Sequence, residues 1–126
     1  MARTVKTDLA PEPVGPYSQA VVVDDVVFCS GQIGTDPRTG FLVSESVAEQ
    51  TEQCLANLSG ILQAAGSSLG SVVKTTVYLT SMEHFKEMNS IYAHHFPEHL
   101  PARSAVAVAE LPLKAKVEIE AVALVE

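Results

Sequence analysis

The last quarter of the chain limits its possible folds most strongly, because two apolar segments there alternate like β-strands and also carry charges. The segments are 103–110 and 116–125, joined by a short turn. Successive side chains of a strand point to opposite faces, so one face of the second segment is entirely apolar, whereas the other begins with Glu118 and Glu120 and ends apolar. Arg103 begins the first segment. If it approaches the two acids, one cleft would hold a guanidinium that suits a small anion and a carboxylate that positions a water.

Length and composition indicate one folded domain, residues 1–126. The net charge of -7 repels phosphate backbones, so we expect no nucleic-acid partner. No apolar run is long enough to span a bilayer and the N-terminus lacks the apolar core of a signal peptide, which predicts a cytoplasmic protein without membrane contact. The two cysteines, Cys29 and Cys54, lack metal-type spacing and are expected to be reduced and partly buried.

Hydrophobic spacing and turn residues divide the rest of the chain into strands and helices. The strongest helix signal starts in the form of a capping box at Ser46 and ends before Gly66. A second amphipathic helix, with Met82 and Met88 expected in the core, stops at Pro97. The predicted segments, in order, are a strand over 3–7, a hairpin of 20–23 and 26–30, a loop over 31–40, a helix over 46–65, a strand over 71–79, a helix over 82–96 and the two final strands.

The order β-β-β-α-β-α-β-β predicts an α+β domain in which a single mixed β-sheet has two helices packed on one face. Two helices can cover only one face of a sheet. The final strands nevertheless carry apolar residues on both faces, so another surface must cover the second face. We therefore expect a homo-oligomer whose subunits pack by their sheets, with any cleft around Arg103 lying between subunits.

Five separated motifs carry a further signal: 14–20 (VGPYSQA), 29–33 (CSGQI), 73–77 (VKTTV), 96–104 (FPEHLPARS) and 117–123 (VEIEAVA). In this order, over nearly the whole chain, they resemble the RidA family, also called YjgF/YER057c/UK114. The resemblance implies a chorismate-mutase-like fold and a homotrimer. In that trimer three sheets form a central barrel with the helices outside, and a cleft lies at each subunit interface.

The resemblance also implies an activity. Members of the family hydrolyse reactive 2-imino acids or their enamine tautomers, such as 2-iminobutanoate and 2-iminopropanoate, to 2-oxo acids and ammonia. Pyridoxal-phosphate-dependent dehydratases that act on threonine and serine release these intermediates. The implied deaminase needs no cofactor and no metal, because imines hydrolyse in water unaided and positioning supplies most of the catalysis.

The functional residues of the family match individual positions of this chain. Arg103 matches the arginine that binds the substrate carboxylate, and Glu118 matches the residue that orients the attacking water; both are predicted to be catalytic. Ala105 stands where many bacterial members have cysteine, so we assign no nucleophile there. The positions expected to line the cleft and contact substrate, besides Arg103, are Tyr17, Ser30, Gly31 and Asn89.

Each of these residues also has a less specific interpretation. Arg103 would serve as a structural salt bridge at the start of a strand, and Glu120 as a solvated or paired acid. Tyr17 is as well suited to packing the N-terminal turn as to touching a ligand, and Asn89 to being a hydrogen-bonded core amide. The four histidines lack the spacing of a metal site.

Two other functions stay open beside the deaminase. Some family members are named endoribonucleases or translation inhibitors, but the acidic charge of this chain argues against RNA binding. The other is a non-catalytic, chaperone-like or small-carboxylate-binding protein that uses the same cleft without turnover. Arg103 alone fits binding, whereas Arg103 together with a water-orienting Glu118 favours catalysis.

Overall fold

The computed structural model describes residues 2–126, which form one six-stranded sheet and two α-helices. The order of the elements is the one that the sequence predicts, and the α+β class is confirmed. No helix within these residues is long and apolar enough to cross a membrane. The strands are β1 (Ala2–Val5), β2 (Ala20–Val23), β3 (Val26–Ile33), β4 (Val72–Leu79), β5 (Ala102–Ala107) and β6 (Val117–Leu124), the helices are α1 (Val47–Ala64) and α2 (Phe85–His95), and single 3₁₀ turns cover Leu69–Ser71, Met82–His84 and Pro112–Lys114.

The sheet is mixed, with the strand order β1-β2-β3-β6-β4-β5. Every neighbouring pair is antiparallel except β4 and β5, which are parallel and joined through α2. A parallel pair requires such a crossover, because the chain must return to the same end of the sheet. The two C-terminal strands are therefore not neighbours: β4 lies between β5 and β6.

Both helices pack on the same face of the sheet, as predicted. Helix α1 lies against β3, β6 and α2. Burying this apolar face drives the fold, because each fully buried aliphatic side chain contributes about 1.5–3 kcal/mol. At and near the second helix, Met88, Tyr92 and Phe96 are buried. All the core positions that helical spacing predicts for the first helix are buried as well: Val47, Thr51, Cys54, Leu55, Leu58, Ile61, Leu62 and Ala65.

The predicted ends of α1 are confirmed, with one change in the N-terminal cap. Ser46 Oγ accepts a hydrogen bond from the Glu49 amide at 3.2 Å, but the Glu49 carboxylate accepts from Ser44 instead of reaching back to Ser46. At the other end Gly66 has φ = +86°, a conformation that glycine adopts without strain. The Ser67 amide then donates to the Leu62 carbonyl at 2.8 Å and closes the helix.

Replacing Leu58 with alanine is expected to lower the free energy of unfolding by about 2–5 kcal/mol, because Leu58 is fully buried between α1 and the sheet. Urea unfolding at one fixed chain concentration measures this. Leu113→Ala is the matched control, since Leu113 is exposed and its truncation leaves no cavity. Equal stability of the two variants would contradict the assignment of this core.

Two predicted core positions are wrong for local reasons. In the segment 71–79 the sequence alternates so that Val73 shares one face with Thr75, Val77 and Leu79, which predicts Val73 on the covered face of β4. In the structure Val73 is instead 45% exposed and Val72 is buried. A register shift between Val72 and Lys74 in the β4–β6 ladder inverts the facing at this end of the strand. Met82 is 49% exposed because it lies on the 3₁₀ turn that precedes α2, outside the helical repeat.

The predicted loop over 31–40 begins too early, because β3 continues to Ile33. The ladder between β3 and β6 shifts its register between Cys29 and Gln32. Glycine in a sequence is typical of loops, but within a strand it marks a bulge or a close approach of another group. Gly31 is such a case, as described below.

The second face of the sheet is uncovered in a single chain, as the distribution of helices requires. It carries Phe28, Val106 and Leu124, all exposed, together with Glu118 and Glu120. Phe28 and Leu124 lie on neighbouring strands. We call this surface the open face.

Candidate active site

Arg103 is held on the helix-covered face, at the edge of the sheet. Its Nη1 donates a hydrogen bond of 2.7 Å to Asn89 Oδ1 on α2. The guanidinium carbon lies 4.9 Å from the ring centre of Tyr92 and 5.5 Å from that of Phe85, distances at which a cation is attracted to an aromatic face. One helix therefore fixes the arginine through an amide and two rings.

A cavity of about 320 Å³ opens beside this arginine. Tyr92 closes its floor: the phenol shares a hydrogen bond of 2.7 Å with Thr75 Oγ1, and burial raises the pKa of Tyr92, so the ring stays neutral. Leu100 is 77% exposed and forms an apolar rim. The cavity thus combines one cation with mostly apolar walls, which suits a small organic carboxylate. Its lining residues are Asn89, Tyr92, Ala93, Leu100, Pro101 and Arg103.

Glu118 lies on the open face, above the backbone of Gly31. A Cβ atom at Gly31 would overlap the Glu118 carboxylate, so the missing side chain makes the space for it. Burial raises the pKa of Glu118, and the nearby charge of Glu120 raises it further. A carboxylate with a raised pKa is a stronger base than an ordinary glutamate, which suits the orientation and deprotonation of a water.

Ser30 and Tyr17 lie at the same end of β3 as Gly31. Ser30 Oγ donates to the Ser18 carbonyl at 2.6 Å, so this hydroxyl fixes the segment that carries Tyr17. Tyr17 is 51% exposed, and it follows a turn at Gly15, where φ is +138°. The ring is therefore presented to the surface rather than buried in the turn. A shallow cavity of about 270 Å³ lies along this segment.

Gln19 organises this segment, and sequence reasoning missed it. Its side chain is buried and makes four hydrogen bonds: it accepts from the Thr7 amide and donates to the carbonyls of Thr7, Ala10 and Pro11. These bonds satisfy backbone groups of a proline-rich segment that has no ladder partner of its own. The only signal in the sequence was a polar residue immediately before an apolar strand.

Glu120 is a paired acid, which is one of the interpretations that the sequence left open. Its Oε1 accepts a hydrogen bond of 2.9 Å from Tyr78 Oη across the open face. Of the histidines, His95 pairs with Glu52 and His99 bonds to the Val72 carbonyl. Within residues 2–126 no group of three or more His, Cys, Asp or Glu side chains could hold a metal ion.

The two cysteines are buried free thiols, as predicted. Burial raises the pKa of Cys29 to about 12. Burial also raises the pKa of Cys54, with a smaller contribution from the charge of Glu118. Neither thiol is ionised at neutral pH, so neither is a nucleophile.

The candidate residues form two groups that do not meet within one chain. In the ladder between β4 and β5, Arg103 lies opposite Thr75. In the ladder between β4 and β6, Thr75 lies opposite Ala121, which is three residues after Glu118. Because side chains alternate, Arg103 and Glu118 then point to opposite faces of the sheet. Within a single chain Arg103 therefore does not approach the two acids, a question that the sequence left open. One group is Arg103 and Asn89, and the other is Tyr17, Ser30, Gly31 and Glu118.

The fold and these two groups define a class of protein: an α+β domain with an arginine beside a small, mostly apolar cavity and a separate, partly buried glutamate whose pKa is raised. The chain matches the family model described as Endoribonuclease L-PSP over residues 7–125. It therefore belongs to this family, which is the YjgF/RidA family that the sequence motifs resemble.

Curated relatives and solved structures agree with this assignment. Reactive Intermediate Deaminase A, chloroplastic, of Arabidopsis thaliana is 53% identical over 119 residues, which are 94% of this chain and 64% of that protein's length. The 2-iminobutanoate/2-iminopropanoate deaminase of Homo sapiens is 50% identical over 122 residues, 97% of this chain and 89% of that protein. The crystal structure of a putative endoribonuclease from Thermotoga maritima matches with 54% identity and a TM-score of 0.96, covering 100% of this chain and 99% of that one.

Proposed function

We propose that this protein is a hydrolytic deaminase of 2-imino acids, with 2-iminobutanoate and 2-iminopropanoate as substrates. Water adds to the imine carbon, and the resulting carbinolamine loses ammonia to leave a 2-oxo acid. The observation that carries the proposal is Arg103, held by Asn89 and two aromatic rings beside a small apolar cavity. Relatives with about half their residues identical are named for this activity.

Arg103 is the proposed carboxylate anchor. Its planar fork presents several N–H donors, and within residues 2–126 one of them bonds to Asn89. The other donors remain for a bidentate pair with the substrate carboxylate. Asn89 and the rings of Phe85 and Tyr92 fix the plane of the Arg103 guanidinium. A carboxylate bound in that plane has a fixed direction, and so has the imine group attached to it. The apolar rim at Leu100 suits the short alkyl group of the substrate.

Glu118 is the proposed base. It is the only candidate whose carboxylate has a raised pKa, because burial and Glu120 both disfavour its charged form. As the oxygen of water bonds to the imine carbon, the electron pair of the C=N bond moves to nitrogen and a proton of the water passes to Glu118. Glu118 then returns this proton to the nitrogen, which gives the carbinolamine. As the C–N bond breaks and the C=O bond forms, the hydroxyl proton passes to the nitrogen, so ammonia leaves and the reaction consumes only water.

Replacing Gly31 with alanine is expected to lower kcat by at least about tenfold, because the new methyl group displaces the Glu118 carboxylate and misplacement of a catalytic group by about 1 Å can cost 10²-fold. Steady-state rates of imine hydrolysis measure this. Gly70→Ala is the control, since the nearest atom to its new Cβ is 3.5 Å away. A normal rate in Gly31→Ala would argue against Glu118 as the base.

The two groups of site residues require two subunits to meet. Arg103 and Glu118 point to opposite faces of the sheet, and the open face carries exposed apolar residues beside Glu118. A homotrimer in which three open faces form a central barrel, as the family resemblance implies, would cover these residues. Each cleft would then take Arg103 and Asn89 from one subunit and Tyr17, Ser30, Gly31 and Glu118 from its neighbour.

A shared site predicts that two inactive variants restore activity when they form mixed oligomers. Random mixing of Arg103→Ala with Glu118→Gln leaves about a quarter of the clefts with both native residues, because each of the two contributing subunits is native at the relevant position half the time. Co-refolding the variants and measuring the rate tests this. Activity no higher than in the separately refolded variants would contradict a site shared between subunits.

An endoribonuclease is the second candidate, because the family model and the Thermotoga maritima structure carry that name. RNA-binding sites combine basic grooves with stacking aromatic side chains. The net charge of this chain is -7, and its three arginines are dispersed: Arg3 lies on β1, Arg38 in the turn between β3 and α1, and Arg103 on β5. We therefore favour the deaminase. The cytoplasm, where thiols stay reduced, is the compartment that we propose, since both cysteines are free.

A coupled assay tests the deaminase. Threonine dehydratase generates 2-iminobutanoate in place, semicarbazide competes for the imine, and the protein is expected to reduce semicarbazone formation and accelerate the appearance of 2-oxobutanoate. Heat-denatured protein is the control for spontaneous hydrolysis. Carboxylate binding without any acceleration would leave a non-catalytic binding protein as the function, and RNA cleavage without acceleration would favour the ribonuclease.

A further inference from the structure

Tyr78 connects the two acids of the open face. On β4 it lies directly opposite Glu118 in the ladder, but its hydroxyl donates to the other acid, Glu120, at 2.9 Å. The hydrogen bond therefore runs diagonally, from the position beside one carboxylate to the next carboxylate along β6. Diagonal neighbours on an antiparallel pair are within reach of an aromatic side chain.

The two acids have different surroundings although they are two residues apart on one face. Glu120 accepts the phenol hydrogen bond, which fixes the direction of its carboxylate. Glu118 lies over Gly31, where burial and the charge of Glu120 raise its pKa. The hydrogen bond to Glu120 raises the pKa of Tyr78, so the phenol remains protonated and continues to donate. Where neighbouring titratable groups differ in this way, their environments assign the acid and base roles.

We propose that Tyr78 and Glu120 are a positioning pair for Glu118: the phenol holds the Glu120 carboxylate in place, and Glu118 works as an effective base because that charge is fixed beside it. This inference rests on the proposed deaminase function. In this arrangement neither Tyr78 nor Glu120 needs to contact the substrate. Their effect passes through Glu118, which accepts the proton of the attacking water.

Other titratable groups around Glu118 are engaged elsewhere. The ammonium group of Lys116 donates a hydrogen bond to the Glu45 carbonyl, and that of Lys74 donates one to the Ser104 hydroxyl on β5. Cys54 approaches from α1 on the opposite face, and burial keeps its thiol protonated. From β3, the segment 30–33 contributes no titratable side chain. In the proposed shared cleft Glu118 would also face Tyr17 and the Arg103 of the neighbouring subunit, and both are unchanged in the variants below. Among the groups of its own sheet, Tyr78 and Glu120 are therefore the ones whose replacement should change the behaviour of Glu118.

The test compares pH profiles of kcat/KM for 2-iminobutanoate hydrolysis in the wild type, Tyr78→Phe and Glu120→Gln. The ratio of variant to wild type at each pH cancels the ionisation of the substrate. We expect the acid limb to move to lower pH in both variants, with the plateau falling about twofold to tenfold because Glu118 becomes a weaker base. The double variant should resemble Glu120→Gln alone, since the phenol acts through Glu120.

Carboxyl ¹³C NMR of Glu118 gives a readout that does not depend on turnover. Glu118 is expected to titrate at lower pH in Glu120→Gln than in the wild type. Ser104→Ala is the control, because it removes a different cross-strand hydrogen bond of the same face. An acid limb and an NMR titration that match the wild type in both variants would make the pair purely structural and overturn the inference. If the Glu118 titration shifts in Glu120→Gln but the wild type hydrolyses no imine, the proposed deaminase function is wrong while the link between the two acids remains.

Discussion

Replacing Arg103 with alanine is expected to lower kcat/KM for 2-imino acid hydrolysis by about 10²–10⁴-fold. In the proposed site this variant loses two charge-assisted hydrogen bonds to the substrate carboxylate, and such bonds contribute about 1.5–3 kcal/mol each. We expect KM to rise and kcat to fall, because the proposed role of Arg103 is both to bind the substrate and to hold the imine carbon where the water reaches it. Initial rates over a range of imine concentrations separate the two effects.

A lysine at position 103 tests whether the fork matters beyond its charge. Lysine keeps the cation but loses the planar pair of donors and the stacking on Phe85 and Tyr92. Arg103→Lys is therefore expected to fall between alanine and the wild type. Arg38→Ala is the matched control, since Arg38 is exposed and pairs only locally with Asp36. If kcat/KM of Arg103→Ala is within threefold of that of Arg38→Ala, and the variant still assembles as the wild type does, Arg103 is not part of the active site.

Replacing Glu118 with glutamine is expected to lower kcat by about 10²–10⁴-fold, which is the usual contribution of a general base. The change is nearly isosteric, so KM should move little. If Glu118 is the base, we expect the wild-type rate to fall as Glu118 gains a proton, and because its pKa is raised we expect this acid limb at higher pH than an ordinary glutamate would give. The limb should vanish from the residual activity of the variant. Glu87→Gln, on the exposed side of α2, should keep the wild-type profile.

The raised pKa of Glu118 also affects stability, with a sign opposite to its effect on rate. The folded protein binds the proton more tightly than the unfolded chain, so this contribution is fully present at low pH and is lost as pH rises through the raised pKa. Glutamine carries no charge and has no such dependence. At neutral pH we expect Glu118→Gln to unfold at a temperature no lower than the wild type. A clearly lower Tm would mean that the charged group stabilises the fold.

Local patterns predicted the helix α1 and its buried face because side chains three and four apart share one side of a helix whatever the rest of the fold does. They failed at Val72 and Val73, where a register shift that depends on the partner strand inverts the facing. They also failed for Gly31, because a strand glycine under a carboxylate and a loop glycine look alike in a sequence.

The candidate residues could be named from sequence motifs, but their arrangement could not. Which face Arg103 occupies relative to Glu118 depends on β4 lying between β5 and β6, and such pairings join residues far apart in the chain. Gln19 was missed for a related reason. A buried amide that satisfies four backbone groups is recognised only when those groups are seen around it.

The burial of both thiols has a consequence for the proposed reaction. The imine forms of the proposed substrates carry an electrophilic carbon, so an ionised thiol beside the cleft would compete with water for that carbon. Here the residue two positions after Arg103 is Ala105, and the thiols of Cys29 and Cys54 are buried and protonated. Neither cysteine therefore offers the proposed substrate an ionised thiol, so water meets no competition from a cysteine thiolate of the described residues, 2–126, at the imine carbon.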